Sequence, residues 1–371
     1  MMSDDNKGFR ATMRRIMDGN GETHMQRKRH RMKFIVAVGT VITVVVFLAM
    51  LCIGPTKIMD PISALANLFS AVGKDGSTMT PDEVLIYSSR MPRAIAALAV
   101  GLGLSVAGAA YQAVIRNPLV DPYIMGVSSG AGTLAIAVIA FDFTFFGLMS
   151  SYSIYLVAIA AIAGGLIAFL LTMALANRAG ATTNAYVLSG VVIGLVFGAD
   201  QTIMIVFSGN KVSDVLLWLF GSFANITWEK AIFILIPVII ISLLIFRYAK
   251  EMNLVLLGEN QASQMGLNVK RFNALILTLA SIMTAFCVAF CGIIGFVGLV
   301  VPHLCRMLFG GDHRLVLPGS IALGAVLMMA ADLAARMIIP GNELPVGAIT
   351  TLIGVPVFAY LLFIRGKMYN G

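Results

Sequence analysis

The sequence has little charge for its length. Lys, Arg, Asp and Glu together make up only 12% of the 371 residues, whereas 59% are hydrophobic. The mean hydropathy is +0.91. A soluble protein cannot keep so much apolar surface away from water, so lipid must be the solvent for most of the chain. Backbone groups in lipid have to be satisfied internally, and the long, continuous apolar runs predict that this is done by α-helices.

Cysteine is also scarce, with four residues in the whole chain. All four lie inside apolar stretches, and their spacing gives no disulfide framework and no paired set of metal ligands. Two of them are four residues apart on one helix face, which in lipid indicates small packing residues. The four are Cys52, Cys287, Cys291 and Cys305.

Ten apolar windows divide the chain, and each is a candidate membrane-spanning helix. Only one of them, 296–309, is short for a full span of about 20 residues. The windows are 34–54, 91–114, 124–141, 152–176, 184–208, 230–247, 271–294, 296–309, 315–338 and 344–364.

Basic residues are concentrated at one end of the chain. Residues 1–33 hold nine Lys or Arg, which predicts a flexible basic tail on the cytoplasmic side and no secretory signal. With that tail inside, the connections alternate so that 19 basic residues are inside and 7 outside, or 10 and 7 without the tail. Both termini are therefore predicted to be cytoplasmic. The net charge of +8 follows the membrane topology and does not indicate nucleic-acid binding.

Two connections between the windows are long. Residues 55–89 form an outside segment, and residues 248–270 form the longest inside connection. The inside connection contains a short amphipathic stretch at about 256–268, flanked by Gly258 and Gly266. A small helix there could dock a cytoplasmic partner or could be an ordinary interfacial helix, and the pattern alone favours neither.

Five segments, in order along residues 34–365, resemble the FecCD family of permeases, which import cobalamin, haem or siderophores. Any one segment is weakly specific, but five in sequence on a ten-window profile are specific together. They are Arg90-Met91-Pro92-Arg93, Arg116 to Pro122 leading into Gly126 to Ala131, Leu257 to Leu267, Gly295 to His303 with Gly311 to Arg314, and Ala331-Asp332 with Glu343 to Phe358.

The resemblance implies an all-α, BtuC-like type II importer permease with about ten transmembrane helices over residues 34–365, working as a homodimer in the cytoplasmic (inner) membrane. It also implies two ATPase subunits and an extracytoplasmic substrate-binding protein. The sequence contains no GxxxxGK[ST] phosphate-binding loop, so we expect no catalysis and no cofactor in this chain, with ATP and Mg in the partner ATPase. The residues expected to couple to that ATPase are Leu257, Gly258, Glu259, Ala262, Met265, Gly266 and Leu267.

Other residues are assigned roles by the same resemblance, each with a plainer alternative. Arg90, Arg93 and Arg336 are predicted to dock the binding protein through its carboxylates; the alternative is snorkelling and an Asp332–Arg336 pair. Asn117, Leu119, Thr183 and Asn184 are predicted to form a cytoplasmic gate, although Thr183 and Asn184 could simply cap a helix.

The fifth window holds two further candidates, Asp200 and Gln201. An acidic residue within a span is costly and usually faces a cavity or a partner. The family pattern generally has small or uncharged residues there. We therefore predict that both residues line the translocation path, while an internal hydrogen bond explains Asp200 equally well. In the same window Gly190, Gly194 and Gly198 predict a close helix–helix contact.

Metal binding by the chain itself is not predicted. His303 has no second ligand at suitable spacing, and the 22 Met are typical of lipid-facing and gap-filling positions. Two other classes are weaker: an ion-coupled secondary transporter or channel would need several ionisable groups within the spans, and a membrane enzyme would need a catalytic cluster. The predicted cargo is a metal chelate. Ferric siderophore is first because it is common in the family, and haem, cobalamin and oxyanions stay open.

Overall fold

The computed structural model describes residues 24–141, 154–339 and 342–369. These residues form helices joined by turns, with no β-strand among them. Seven helices are long and apolar enough to cross a membrane, and three shorter apolar helices occupy the remaining windows. The all-α, multi-span fold predicted from the sequence is therefore confirmed.

The helices follow one another with short connections. The first half of the chain contains α1 (His24–Cys52), α2 (Pro61–Ala71), α3 (Pro81–Val84) with a π-helical turn Leu85–Arg90, α4 (Met91–Val114), α5 (Val127–Phe141) and α6 (Ile154–Arg178). The second half contains α7 (Thr183–Phe207), α8 (Val212–Leu219), α9 (Trp228–Arg247), α10 (Ala249–Val255), α11 (Glu259–Gln264), α12 (Val269–Cys291), α13 (Val297–Phe309), α14 (His313–Met337) and α15 (Val346–Tyr369).

Helix α4 is the central element of the bundle. It packs against α9, α12, α13 and α14, and 20 of its residues are buried. Ala and Gly make this possible, because small side chains let helix backbones approach closely. At Gly101 and Gly108 an added methyl group would collide with the carbonyl oxygens of Gly324 and Gly298, on α14 and α13.

Two clusters of hydrogen bonds define opposite ends of the bundle. The α11 end brings Arg116, Thr183 and Glu259 together, and Asp312 lies beside Asn253 at the same end. At the α2 end, the Arg90 guanidinium binds the carbonyl oxygen of Leu51 at 2.6 Å.

Three differences from the predicted windows matter for the sites. Helix α1 begins at His24, so part of the predicted tail 1–33 is helical, and residues 1–23 lie outside the described part. Helix α8 falls between two windows and was not predicted. The stripe of Gly190, Gly194 and Gly198 makes one close contact only: a Cβ on Gly190 would collide with the Ile124 carbonyl, whereas Gly198 has open space around it.

Candidate functional site

A cleft at the α11 end collects residues from two of the predicted sites. The cavity has a volume of about 770 Å³ and is lined by the end of α4, the start of α7 and the segment leading into α11. Thr183 and Asn184, predicted as gate residues, therefore lie beside Leu257, Gly258 and Glu259, predicted as coupling residues. The lining residues are Ile115, Arg116, Thr182, Thr183, Asn184, Leu257, Gly258, Glu259, Asn260 and Gln261.

Arg116 joins the three elements of this cleft. Its guanidinium lies 2.7 Å from a Glu259 carboxylate oxygen and 3.3 Å from the Thr183 hydroxyl. Arg116 has a φ of 53°, the left-handed conformation in which the chain leaves α4. Both charged side chains are partly exposed, so the pair adds little to stability. Its role in coupling stays a prediction.

Helix α11 has the form that the sequence indicated for the coupling segment. Gly258 and Gly266 flank it with φ values of 118° and 88°, which a residue with a side chain rarely adopts. Ala262 is fully buried and anchors the helix, whereas Leu257 and Met265 are 58% and 63% exposed. Two apolar side chains are thus presented on an exposed short helix.

The remaining predicted gate residues lie outside that cavity lining. Asn117 is exposed and accepts a hydrogen bond from the backbone N–H of Leu119 through its side chain, at 3.0 Å. Leu119 is 42% exposed. Thr182 is the cap of α7, accepting from the Ala185 N–H at 3.2 Å, so Thr183 and Asn184 are not needed as caps.

The three arginines predicted to dock a binding protein are buried at the α2 end. Arg90, Arg93 and Arg336 are 2%, 6% and 4% exposed. Arg90 donates to the backbone carbonyls of Leu51 and Cys52 at the end of α1, and Arg93 binds Asp332 at 2.8 Å and Glu343 at 2.9 Å. The alternative i,i+4 pair is present, with Arg336 Nε 3.4 Å from Asp332 Oδ2. Their role in docking stays a prediction.

Asp200 and Gln201 lie on α7 but face different surroundings. Gln201 donates its side-chain amide to the Ser129 carbonyl of α5, so it is turned into the protomer. Asp200 is half-buried. It lies past the middle of α7 and seven residues, roughly 10 Å along the axis, before its end, so it is in the half of the helix toward the α2 end. Their place on a path stays a prediction.

Most of α7 presents bare apolar side chains to the outside of the protomer. Only 6% of its apolar window is buried, in contrast to 83% for the span that includes α4. The side chains of Leu188, Leu195 and Val196 are 66%, 69% and 61% exposed. This surface is compatible with lipid or with a second protein copy.

Gln112 and Asp121 were not predicted as site residues, yet they organise the loop between α4 and α5. The Gln112 amide donates to the carbonyl oxygens of Val120 on the loop and Gly298 on α13, at 3.1 and 3.3 Å. Asp121 accepts from the Tyr123 N–H at 2.8 Å, and burial raises the pKa of its carboxyl to about 6. Asp121 lies within the motif segment Arg116 to Pro122, which was its only signal in the sequence.

A second cavity, of about 390 Å³, lies at the α2 end. Charged side chains from three segments reach it: Asp214 of α8, Lys230 of α9 and Glu343, which also binds Arg93. Lys230 donates to the Asn225 carbonyl and is only 5% exposed. Metal coordination is not indicated: within the described ranges no three His, Cys, Asp or Glu side chains cluster, and His303 is buried on α13.

Together, the apolar multi-span bundle, the exposed short helix at one end and the polar cavity at the other define a membrane permease. Residues 42–364 match the model of the FecCD transport family. The chain therefore belongs to the FecCD transport family, as the sequence motifs had indicated.

Named relatives cover most of the chain. A cobalamin import system permease protein of Halobacterium salinarum is 40% identical over 281 residues, 76% of this chain and 73% of the relative. A vitamin B12 import system permease protein of Citrobacter koseri is 34% identical over 338 residues, covering 91% and 96%.

A solved structure has the same architecture. It is an inward-facing conformation of an ABC transporter assigned to the metal-chelate type, and it is 29% identical with a TM-score of 0.76. The match covers 89% of this chain and 99% of that one. The type II importer architecture predicted from the motifs is thus supported over nearly the whole chain.

Proposed function

We propose that this chain is the permease subunit of an ABC importer that carries a metal chelate into the cytoplasm. The observation that carries the proposal is α11: a short helix between two glycines, with exposed Leu257 and Met265, in contact through Arg116 with the ends of α4 and α7. A partner that pushes on α11 moves the elements predicted to form the gate. Two ATPase subunits, which hold ATP and Mg, would supply that push.

The α11 end faces the cytoplasm in this proposal, and so do both termini. The charge asymmetry of the connections supports this orientation. The exposed apolar face of α7 then lies against a second copy, and the translocation path runs along the two-fold axis between the copies. Asp200 would sit in the half of that path nearer the outer face, while Gln201 would hold this part of α7 against α5 through the Ser129 carbonyl.

The binding protein would dock at the α2 end. Among the three arginines, Arg336 offers the better contact because its Nη2, which is buried, has no hydrogen-bond partner among the described residues. A carboxylate from the binding protein could satisfy that donor, whereas Arg90 and Arg93 would first have to release the carbonyl and carboxylate groups they already bind.

Cobalamin is the leading cargo, because the relatives from Halobacterium salinarum and Citrobacter koseri carry cobalamin and vitamin B12 in their names. The sequence-based preference for ferric siderophore rested on frequency within the family alone. Siderophore and haem stay as second candidates, since the solved relative is assigned to metal chelates in general.

Cysteine cross-linking tests the assignment of α11. The four native cysteines are buried, so a cysteine introduced at an exposed site is the accessible one. Met265→Cys should cross-link to the ATPase partner in membranes when a short bifunctional thiol reagent is added, with a matching cysteine on that ATPase. Phe69→Cys, which is also highly exposed but lies on α2, is the control and should give no adduct. Cross-linking from Phe69→Cys and not from Met265→Cys would contradict the proposal.

A further inference from the structure

The start of α1 carries a run of basic residues directly before its apolar part. Arg27, Lys28, Arg29, Arg31 and Lys33 precede the apolar run that begins at Phe34. They therefore sit where the hydrocarbon of a bilayer gives way to its head groups. The family match begins at residue 42, so this basic turn precedes the region shared with the family.

A cavity of about 420 Å³ opens between this turn and the start of α14. Its charged lining consists of Lys28, Arg29, Asp312 and Arg314, with Gln26, Met32 and Leu315 as the other members. Lys28 is paired with Asp312 at 2.8 Å. Two guanidinium groups, of Arg29 and Arg314, are therefore left in excess of the one carboxylate.

The Asp312 carboxylate already has hydrogen-bond donors of its own, so it does not take up the guanidinium groups of Arg29 and Arg314. Its carboxylate accepts from the Asn253 amide at 2.7 Å and from the Arg314 backbone N–H at 3.0 Å, besides Lys28. Burial opposes ionisation, but these donors outweigh it and hold the pKa of Asp312 below its ordinary value. Arg314, in contrast, has a buried Nε with no hydrogen-bond partner among the described residues.

An apolar groove begins at Val36, one helical turn further along α1 than Met32, where the cavity lining ends. It has a volume of about 440 Å³ and lies between α1, α4, α9 and α14. Nine α1 residues line the cavity or the groove, and five of them, 28, 32, 36, 39 and 43, recur every three or four residues along one helix face. Arg29, Thr40 and Val44 lie beside that face. On α14 the lining passes from Arg314 and Leu315 to Pro318, Ile321 and Ala325 in the same way.

The groove exists because α1 touches the bundle along one line. Helix α1 packs on α14, and at Gly39 an added Cβ would lie 2.6 Å from the Ala322 Cβ. On the outer side of that line Val36, Val44 and Val45 are about half exposed, and nothing in the protomer covers them among the described residues.

We propose that an anionic phospholipid binds at this place, with its phosphate between Arg29 and Arg314 and an acyl chain in the groove. Guanidinium groups bind phosphate oxygens in pairs of hydrogen bonds, and basic pockets between helices at the head-group level favour anionic lipids. The lipid would hold α1 against α14 on the side where protein contacts are missing. The site involves neither the partner subunits nor the cargo.

Native mass spectrometry of the full chain tests the proposal. The chain is released from nanodiscs of phosphatidylcholine containing a minor fraction of phosphatidylglycerol, and the retained lipid is identified. Wild type should retain phosphatidylglycerol selectively over phosphatidylcholine. Arg29→Gln with Arg314→Gln should lower that retention roughly tenfold or more, because each basic group near the head groups contributes about 1 kcal/mol.

The matched control removes two basic charges at the same end of the bundle, away from the cavity. Lys270→Gln with Arg271→Gln changes the exposed start of α12 and should leave retention unchanged. A second variant, Thr40→Trp, fills the groove without altering charge and should also lower retention. The Thr40→Trp variant still tests the proposal if the double arginine variant does not fold.

Three outcomes would overturn the proposal. The first is equal retention of phosphatidylglycerol and phosphatidylcholine by wild type, which would also be the result if residues 1–23 filled the cavity. The second is an equal loss in the α12 control, which would indicate general surface charge. The third is full retention in both the arginine and the Thr40→Trp variants.

Discussion

Single buried charges decide much of the stability of this permease. Asp332 is completely buried, and it lies between Arg93 at 2.8 Å and Arg336 at 3.4 Å. The carboxylate and Arg93 are separated by 239 residues in the sequence, so the pair fixes α14 against α4. Residues that the motifs suggested for docking therefore have a structural role that is visible in the protomer.

Replacing Asp332 by Asn should be strongly destabilising, because two guanidinium groups would then lie buried with less charge compensation. Breaking one partner of a buried pair costs about 3–5 kcal/mol. The midpoint of thermal unfolding in detergent is the measurement. Glu343→Gln is the control, because Glu343 binds the same arginine but its side chain is 38% exposed, so the loss should be much smaller. Equal losses in the two variants would contradict this account.

Asp121 should make stability fall as pH rises. Burial raises the pKa of its carboxyl from 3.8 to about 6 in the folded protein. A raised acid pKa means that the folded state holds the proton more tightly, so its contribution is present below about pH 4 and lost as pH passes 6. Asp121→Asn can still accept the Tyr123 N–H, but it cannot ionise.

The difference between wild type and Asp121→Asn therefore isolates this group from the other titrating residues. Unfolding midpoints measured from pH 4 to pH 7 should show the variant gaining stability relative to wild type as pH rises. A constant difference across that range would show that Asp121 keeps an ordinary pKa.

At the scale of helices, glycine position determines how closely two elements approach. The close contacts between described helices use Gly130 with Gly164, joining α5 to α6, and the Gly101 and Gly108 contacts of α4. The evenly spaced stripe on α7 looked similar in sequence, but Gly194 and Gly198 face open or loosely packed surroundings. Spacing identifies a face of a helix, and only tertiary contacts show whether that face is covered.

Alanine substitution separates the two kinds of glycine on α7. Gly190→Ala should destabilise the protein by about 1–3 kcal/mol, since the new methyl group meets the Ile124 carbonyl and the loop must move. Gly198→Ala has open space and should be neutral or stabilising by up to about 1 kcal/mol, because alanine favours helix. Unfolding in a denaturing detergent titration measures both. The opposite order would invalidate the assigned contacts.

The sequence predicted best the helices that are marked by a long apolar run. Eight of the ten windows agree with a helix to within about three residues at both ends, because long apolar runs leave few alternatives in lipid. The exceptions are the start of α1, where the helix continues through polar residues, and the end of α15, which runs past its window. Helix α8, with eight residues, is too short for a spanning window, and its place depends on contacts such as Ser222 N–H to the Cys291 carbonyl.

The predicted site residues also differ in how much of their structure could be predicted from the sequence. The glycine-flanked α11 could be predicted because positive φ has a local signature in the sequence. The burial of Arg90 and Arg93 could not, because their guanidinium groups find their partners on segments distant in the sequence. Arg336 differs, because its partner Asp332 lies four residues away on the same helix and the sequence offered that pair. The position of Gln201 against α5 had no signal either.

For the whole molecule, the two ends have different chemistry. The α11 end offers a partly exposed ion pair and two exposed apolar residues that flank a short helix. The α2 end offers a polar cavity with buried arginines beside it. The path between them would be completed by a second copy along α7. The sequence contains no GxxxxGK[ST] phosphate-binding loop, so the proposal assigns ATP hydrolysis to a separate subunit.

The central claim, transport driven by a separate ATPase, is tested most directly by uptake into proteoliposomes. The vesicles hold this permease with its ATPase partner, the binding protein loaded with radiolabelled cobalamin is outside, and ATP is inside. The account predicts accumulation that requires hydrolysable ATP and stops when the ATPase is omitted. Accumulation that continues without the ATPase and follows an imposed proton or sodium gradient would contradict the account.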